Sequence, residues 1–416
     1  MKIAFKPYQN LKVIGLILFF VLHFYGGVEV NFLIFCVGII VFWKFKINKQ
    51  FIHLISPLIL LTLIGGLSGI LHRNGWYNIF KDLIFFLKPI LGMWFGFLFA
   101  KRMKSTKDWL QLIVYSGLGF SFIHFFQFFN VFLIYGFKVS DIRNNTDLDN
   151  YLEVFSFLTL LYYKNKNLVF FSEKRDKFFL VIISISILLY LSRSMILVSL
   201  ILSLLLVWEY SFKIKYLVIF SILLVTGIVF LGYLQTLDLS ISSSGLESFL
   251  YKIRMAPSEL FFDETQNTSF RYLYDHWRGY EAYLVLEGID VRNILLGSGF
   301  GALLDLRGEF YLGRNLFRFI PIIHNGYVFM LFKTGVIGLS VFFLFLINSY
   351  KLLFWRKSDS MVLALLAMSI ISFWIFSTFI VTGIHNQGEF ISVLFGGFVA
   401  RLLSTGSLKD HKLIKK

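Results

Sequence analysis

The amino-acid sequence predicts an all-α protein that crosses a membrane about twelve times. Of its 416 residues, 57% are hydrophobic and 19% are aromatic, and the mean hydropathy is +0.74. A soluble chain of this length could not bury so much apolar surface. Apolar stretches also recur at the length of a membrane-spanning helix, about 20 residues. Together these observations predict a polytopic membrane protein.

Each predicted span is an apolar stretch bounded by charged or turn-forming residues. The stretches are long enough to be helical, and the shortest, 151–163, has the weakest signal. The twelve predicted spans are 11–27, 29–43, 51–71, 83–100, 109–136, 151–163, 178–192, 194–208, 216–234, 321–348, 360–380 and 390–403.

Charge distribution predicts how the chain is oriented. If the N-terminus is cytoplasmic, the cytoplasmic segments carry 25 Lys and Arg residues and the short outer loops carry 5. This bias is the one that orients inserted helices. It also explains the net charge of +16 without nucleic acid as a partner. We therefore expect a multi-pass membrane protein with both termini cytoplasmic, and Leu11–Gly27 as a retained signal anchor.

The segment 235–320 is predicted to be a large, partly helical loop on the outer side. It separates an N-terminal region of nine spans (1–234) from a C-terminal region of three spans and a basic tail (321–416). Loops of this length are uncommon and tend to be functional. Helical spacing appears over Leu246–Met255 and Arg271–Gly288. The sole cysteine, Cys36, excludes an internal disulfide.

The strongest functional signal is the stretch His324–Leu339, where the outer loop meets a predicted span. An ionisable ring at a membrane boundary is a functional candidate, and a histidine can exchange a proton near neutral pH. Alternatively, His324 and Asn325 simply cap the helix. Gly335 and Gly338 have the spacing of small residues that let another helix approach closely.

Outward arginines form a second signal. Arg193 stands in a short Ser-Arg-Ser turn between two spans, where an arginine is costly unless it finds a partner or reaches water. A guanidinium donates in a planar fork that fits phosphate oxygens. Several converging arginines would therefore bind an anionic headgroup, with pyrophosphate as the obvious candidate. Further candidates for binding substrate are Arg143, Arg278, Arg314, Arg318 and Asn325.

Other signals have weaker functional readings. Gly297–Gly301 resembles a dinucleotide fingerprint but follows no predicted strand, so we interpret it as a tight loop. Asp147 and Asp149 have the spacing of a metal-binding pair, although such clusters are usually polar turns. We assign no metal site. Lys88 and Lys333 are each either snorkelling amines or buried cations.

Three motifs make the chain resemble the bacterial O-antigen ligase and polymerase family. The first is the His-Asn pair at His324 followed by Gly335 and Gly338-Leu339. The second is Ser192-Arg193 between two spans. The third is an outer helix that starts at Arg271 and is followed by the glycine-rich turn Leu296–Gly301. The resemblance covers roughly residues 140–345.

This resemblance implies a protein of the bacterial cytoplasmic (inner) membrane with a membrane glycosyltransferase fold and a metal-independent reaction without cofactors. The donor would be an oligosaccharide on undecaprenyl pyrophosphate. The resemblance gives catalytic roles to His324, which would activate the acceptor hydroxyl, and to Arg193 and Arg271, which would stabilise the pyrophosphate leaving group. The acceptor would be a glycan at the bilayer surface, and flippase and chain-length regulator proteins are candidate partners.

Polymerase and ligase remain alternatives within this family. A polymerase extends lipid-linked repeat units of O-antigen, capsule or exopolysaccharide, whereas a ligase moves finished glycan to an acceptor such as lipid A core. We favour polymerase, because no feature indicates a lipid A core. A flippase or other transporter is the alternative of another class. Transporters usually contain internal repeats, and none is evident here.

Overall fold

The fold is described from a computed structural model of the chain. The description covers residues 7–25, 27–43, 48–136, 139–146, 150–211, 213–239, 246–266, 270–290, 293–312, 315–355, 360–386 and 390–406.

Helices dominate the fold, as the sequence predicts. Each of the twelve predicted spans overlaps a helix. Within the described residues, six helices (α3, α4, α5, α10, α14 and α15) are long and apolar enough to cross a membrane, and four more contain shorter apolar segments. The all-α, polytopic class is thus confirmed. The helices are α1 (Pro7–Phe24), α2 (Val28–Phe42), α3 (Lys49–Leu71), α4 (Trp76–Arg102), α5 (Thr106–Tyr135), α6 (Val139–Asn145), α7 (Tyr151–Asn165), α8 (Glu173–Leu189), α9 (Arg193–Val207), α10 (Ile214–Thr236), α11 (Leu246–Met255), α12 (Phe270–Asp275), α13 (Trp277–Gly288), α14 (Gly326–Trp355), α15 (Met361–Ile380) and α16 (Ile391–Gly406).

The chain divides into two compact units, each described here by itself. The first comprises Met1–Trp109 and Trp277–Lys416, and the second comprises Leu110–His276. In the first unit, α4 packs along α16 and against α2, and α14 packs against α3 and α15. The α4–α16 contact is close because glycines face the partner backbone: a Cβ at Gly96 would collide with the carbonyl of Val393, and one at Gly396 with that of Met93.

In the second unit, α7 packs against α8 and α9, and α11 packs against α6 and α10. A buried polar network links its helices. The buried carboxylate of Glu153 accepts hydrogen bonds from Tyr190 Oη at 2.8 Å and from Ser121 Oγ at 2.9 Å. The ring of His124 stacks on Tyr190, with 3.6 Å between ring centroids. Buried polar groups require such partners, so the network fixes how these helices pack.

The predicted outer loop contains both expected and unexpected elements. The helix predicted over Leu246–Met255 is α11, but the one predicted over Arg271–Gly288 is broken at His276 into α12 and α13. An antiparallel hairpin follows, formed by β1 (Leu304–Leu312) and β2 (Asn315–Ile320), with Phe310 opposite Phe317. The sequence does not predict the hairpin, because a single β-ribbon gives a short and weak alternation signal.

The start of α14 also differs from the prediction. The apolar stretch was expected to be helical from residue 321, whereas the helix begins at Gly326. Asn325 ends the preceding segment by capping the helix, since its Oδ1 accepts hydrogen bonds from the backbone N–H groups of Tyr327 (3.1 Å) and Val328 (3.2 Å). His324 therefore lies just outside the helix, in the segment that connects it to β2.

Candidate functional site

A carboxylate–histidine pair lies at the N-terminal end of α14. His324 Nδ1 is 2.9 Å from Oε2 and 3.0 Å from Oε1 of Glu281. The backbone N–H of His324 donates a third hydrogen bond to Glu281 Oε2, at 2.8 Å. The Glu281 side chain is only 1% exposed, whereas that of His324 is 49% exposed. A buried carboxylate thus anchors a histidine whose ring reaches the surface.

Glu281 is held in place by the helix that carries it and by the hairpin. Trp277 lies one turn earlier on α13, and its Nε1 donates to Glu281 Oε1 at 2.6 Å. The Trp277 ring packs edge-on against Phe310 of β1, with 5.4 Å between centroids. Tyr280 Oη donates to the carbonyl of Leu306 at 2.6 Å, and burial raises the pKa of this phenol. The hairpin thereby fixes the orientation of α13 and of Glu281.

This arrangement determines which proton His324 can exchange. A carboxylate can only accept a hydrogen bond, so the proton between the two side chains resides on Nδ1. Nε2 then carries the lone pair, and the Glu281 carboxylate lies where it would offset a positive charge on the imidazole. A histidine oriented by a third group in this way is suited to act as a general base.

Gly335 does more than allow close packing: it marks a local break in the helical backbone of α14, called the notch below. Its φ of 66° interrupts the helix, and a Cβ there would collide with the carbonyl of Leu295. The segment Ile294–Ser298 docks at this notch. Val336 N–H donates to the Ile294 carbonyl at 2.8 Å, and Ser298 N–H donates to the Phe332 carbonyl at 2.7 Å. Backbone groups released by the interruption thus find partners in the segment Ile294–Ser298, which leads into the glycine-rich turn.

The glycine-rich turn continues across α3. The ring of Phe300 occupies the space above Gly65, and the backbone of Phe300 lies against Gly69. Phe300 N–H donates to the Gly65 carbonyl at 2.9 Å, and Ser68 Oγ donates to the Gly297 carbonyl at 3.0 Å. The interpretation as a tight loop with close backbone approach agrees with these contacts.

A buried ion pair between Lys333 and Asp82 holds the glycine-rich turn in place. Lys333 Nζ, which is fully buried, lies 2.7 Å from Asp82 Oδ2 and donates to the Ala302 carbonyl at 2.6 Å. Asp82 Oδ2 also accepts from Gly301 N–H at 2.6 Å. Of the two readings left open for Lys333, the structure shows the buried cation. The pair joins α4, α14 and the turn at one point.

Arg193 begins α9 in the second unit, where Ser192 is the N-cap residue. Arg193 Nη2 contacts Glu259 Oε1 at 3.1 Å and Oε2 at 3.3 Å, and Nη1 donates to the backbone carbonyl of Lys252. Arg193 therefore has a carboxylate partner and a carbonyl partner, which reduces the cost of placing its charge between two apolar helices.

The other predicted site residues have varied surroundings. Arg318, on β2, pairs with Asp305 through Nε (3.2 Å) and Nη2 (3.1 Å), and these hydrogen bonds lower the pKa of Asp305. Arg278 lies on α13, partly exposed. Arg143, on α6, is near enough to Lys252 to affect its pKa. The side chain of Arg271 and the residues Arg314, Asp147 and Asp149 lie outside the described part.

The predicted residues are divided between the two units. His324, Asn325, Arg278 and Arg318 belong to the first unit, and Arg193 and Arg143 belong to the second. Sequence reasoning missed Glu281, although a signal was present. Glu281 directly follows Tyr280 in the helix predicted over Arg271–Gly288 and stands one turn after Trp277. A carboxylate on a buried helix face requires a partner, and His324 was already a candidate.

Comparison with known proteins gives a match to a protein-family model. No curated protein matches the chain. The O-antigen ligase family model matches residues 178–343, which include Arg193, Glu281, His324 and Gly335. The match supports a multi-pass membrane protein of the O-antigen ligase or polymerase type, in a family of glycosyltransferase-like enzymes that use lipid-linked glycan. The match covers residues 178–343, less than half of the chain, and within this region the resemblance to the O-antigen ligase family is confirmed.

Proposed function

We propose that the protein is a glycosyltransferase that polymerises lipid-linked oligosaccharide repeat units at the outer face of the cytoplasmic membrane. The single observation that carries this proposal is the His324–Glu281 pair, because it presents a half-exposed histidine, oriented by a buried carboxylate, within the region matched by the family model. The proposed donor is a glycan on undecaprenyl pyrophosphate, and the proposed acceptor is the terminal sugar of another lipid-linked unit.

In the proposed reaction, His324 Nε2 removes the proton from an acceptor hydroxyl. The hydroxyl oxygen forms a bond to the anomeric carbon of the donor as the bond from that carbon to the phosphate oxygen breaks. The electron pair of the broken bond leaves with the pyrophosphate, whose developing charge Arg193 and Arg271 stabilise. Glu281 offsets the charge of the imidazolium. Base catalysis by a positioned side chain typically contributes about 10²–10⁴-fold.

The proposed orientation places both termini in the cytoplasm and segment 235–320 outside. The charge asymmetry of 25 basic residues against 5 supports it. Reporter fusions after Trp208 and within 235–245 test this orientation. A reporter active only in the cytoplasm should work at the first position, and one active only outside should work at the second. The reverse pattern would overturn the proposed orientation.

The experiment that tests the function is a glycan assay in membranes from a host that lacks the gene. Wild type is compared with His324→Ala, Arg193→Ala and Arg271→Ala, each checked for expression and insertion. A polymerase predicts that the variants lose the ladder of glycan lengths but keep single units on their acceptor. Loss of all transfer with accumulation of lipid-linked chains would instead identify a ligase, the activity named by the matched family. An unchanged ladder in all three would overturn both.

A further inference from the structure

Residues 293–302, called the docked segment, contain no charged side chain, although charges flank them closely. Asp290 and Arg292 precede the segment, and Asp305 and Arg307 follow it. The segment lies between α13 and β1 and forms neither a helix nor a strand. Because a charge is costly inside a membrane, an uncharged stretch between charged flanks is the pattern expected of a segment that enters apolar surroundings.

The docked segment contacts positions that lie well inside two membrane-spanning helices. Phe300 N–H donates to the Gly65 carbonyl of α3 at 2.9 Å, and Ser298 N–H donates to the Phe332 carbonyl of α14 at 2.7 Å. Gly65 lies six residues before the last residue of α3, and Phe332 lies six residues after the first residue of α14. At about 1.5 Å per residue, each contact lies about 9 Å from the end of its helix. The end of α3 and the start of α14 therefore lie on the same side of the membrane, which is the side of His324.

The length of α3 indicates how deep these contacts are. Its 23 residues span about 34 Å, whereas the hydrocarbon layer of a bilayer is about 30 Å thick. If the whole excess of about 4 Å projected from the layer at this end, Gly65 would still lie about 5 Å inside it. The docked segment therefore reaches the level of the lipid acyl chains.

Apolar side chains of the docked segment continue the exposed apolar surface of α14. Ile294, Leu295 and Leu296 are all exposed, Leu295 by 57%. The backbone N–H groups of Val336 and Ile337 donate to the carbonyls of Ile294 (2.8 Å) and Leu295 (3.2 Å), and the side chains of Val336 and Ile337 are exposed as well. These five residues form one apolar patch. Such a patch is unfavourable in water and favourable against hydrocarbon.

The backbone of the docked segment is provided with hydrogen-bond partners. Irregular backbone at membrane depth requires them, because water is absent there. Asn74 Nδ2 donates to the carbonyls of Ser298 (2.9 Å) and Phe300 (2.8 Å), and the Gly297 carbonyl accepts from Ser68 Oγ. These side-chain donors add to the backbone contacts with α3 and α14. The segment is thus suited to a position below the membrane surface.

We propose that the docked segment is a re-entrant element. It enters the leaflet on the side of His324 and returns to that same side, and its apolar patch contacts the acyl chains of the lipids. The number of membrane crossings is unchanged. This inference goes beyond the proposed function, because it concerns the partner of a surface and holds for any reaction at His324.

The first measurement locates the patch by fluorescence quenching, with the full chain in lipid bilayers. Cys36→Ser provides the background, so that one introduced cysteine carries the fluorophore. Leu295→Cys is compared with Ile222→Cys, an exposed position in α10, and with Glu309→Cys, an exposed position on β1. We expect lipids brominated on their acyl chains to quench the labels at positions 295 and 222. Iodide in the water should quench only the label at position 309.

A second measurement uses stability in bilayers. A charge among acyl chains is costly, so Leu295→Glu should lower the midpoint of thermal unfolding. The matched control is Leu316→Glu on β2, where the leucine is also exposed and the midpoint should change little. A patch that faced water would tolerate both changes equally.

Each outcome bears on the proposal. Quenching of the label at position 295 by iodide, alone or together with quenching by lipid, would overturn it. Protection from both quenchers would show that protein covers the patch, which would also overturn it. Equal midpoints for Leu295→Glu and Leu316→Glu would contradict contact with acyl chains. Glycan transfer enters none of these measurements, so the proposed function is tested separately.

Discussion

Glu281 binds both the ring and the backbone of His324, at 2.9 Å from Nδ1 and 2.8 Å from the backbone nitrogen. The double contact fixes the position of the residue as well as the orientation of its imidazole. His324 is thereby held outside α14 in a segment that has no regular secondary structure of its own.

Replacing Glu281 by Gln should reduce glycan transfer by about 10²-fold, because the amide keeps the shape but does not stabilise the imidazolium. The matched control is Glu287→Gln on the same helix, where Glu287 pairs with the half-exposed Arg307 and transfer should persist. The measurement is the initial transfer rate across pH, together with the unfolding temperature. Equal rates in the two variants at every pH would exclude Glu281 from the mechanism.

Gly335→Ala should destabilise the protein strongly. The new side chain would have to adopt φ near 66° and collide with the Leu295 carbonyl, so the glycine-rich turn would be displaced. Gly227→Ala in α10 is the control, since no atom lies within 4 Å of a Cβ at that position. Thermal unfolding in detergent should show a lower midpoint for the first variant only. Equal midpoints would mean that the notch is not needed for stability.

Breaking the Asp82–Lys333 pair from one side should cost about 3–5 kcal/mol, because an uncompensated charge remains buried. Lys333→Met and Asp82→Asn should each show this loss, and the double variant should lose much less than the sum of the two. The exposed pair Glu173–Lys177 provides the control, and single changes there should leave the free energy of unfolding nearly unchanged. Additive losses at Asp82 and Lys333 would contradict direct coupling.

His385 should make the protein less stable in mild acid. Burial, assisted by the charge of Lys88, lowers its pKa from 6.5 to about 3. Below pH 6.5 the unfolded chain binds a proton that the folded chain does not, so folding stability falls by about 1.4 kcal/mol per pH unit until pH approaches the folded pKa.

Unfolding midpoints measured between pH 7 and pH 4 test this prediction. His385→Phe keeps the stacking against Phe86, whose ring centroid is 4.3 Å away, and should flatten the pH dependence. His53→Phe, at an exposed position on α3, should not change it. An identical slope in wild type and His385→Phe would show that another group controls acid stability.

Hydropathy predicted the helices well, because each span must satisfy its backbone hydrogen bonds internally and display apolar side chains. It could not predict the start of α14 at Gly326, which depends on the Asn325 cap, or the notch at Gly335, which depends on contacts with Leu295. Such features arise from segments far apart in sequence and leave only single-residue signals.

The candidate site, like the fold, could be predicted from the sequence only in part. His324 and Arg193 were evident from charge at the ends of apolar stretches, where a charge is costly and thus noticeable. Glu281 and Glu259 were not noticed, because carboxylates in a polar loop are common and their partners come from other elements. Lys333 was recognised as ambiguous, and only the position of Asp82 decided between its two readings.

The interruption at Gly335 also fixes the spacing along the chain between two contacts of this region. His324 and Gly335 are eleven residues apart, and the glycine-rich turn clamps the helix at Gly335. One residue inserted into this interval would advance the helix by about 1.5 Å and rotate it by about 100°. The histidine would then turn away from Glu281 although every motif residue was still present. The number of residues in this interval therefore determines the His324–Glu281 contact as much as the identities of these residues do.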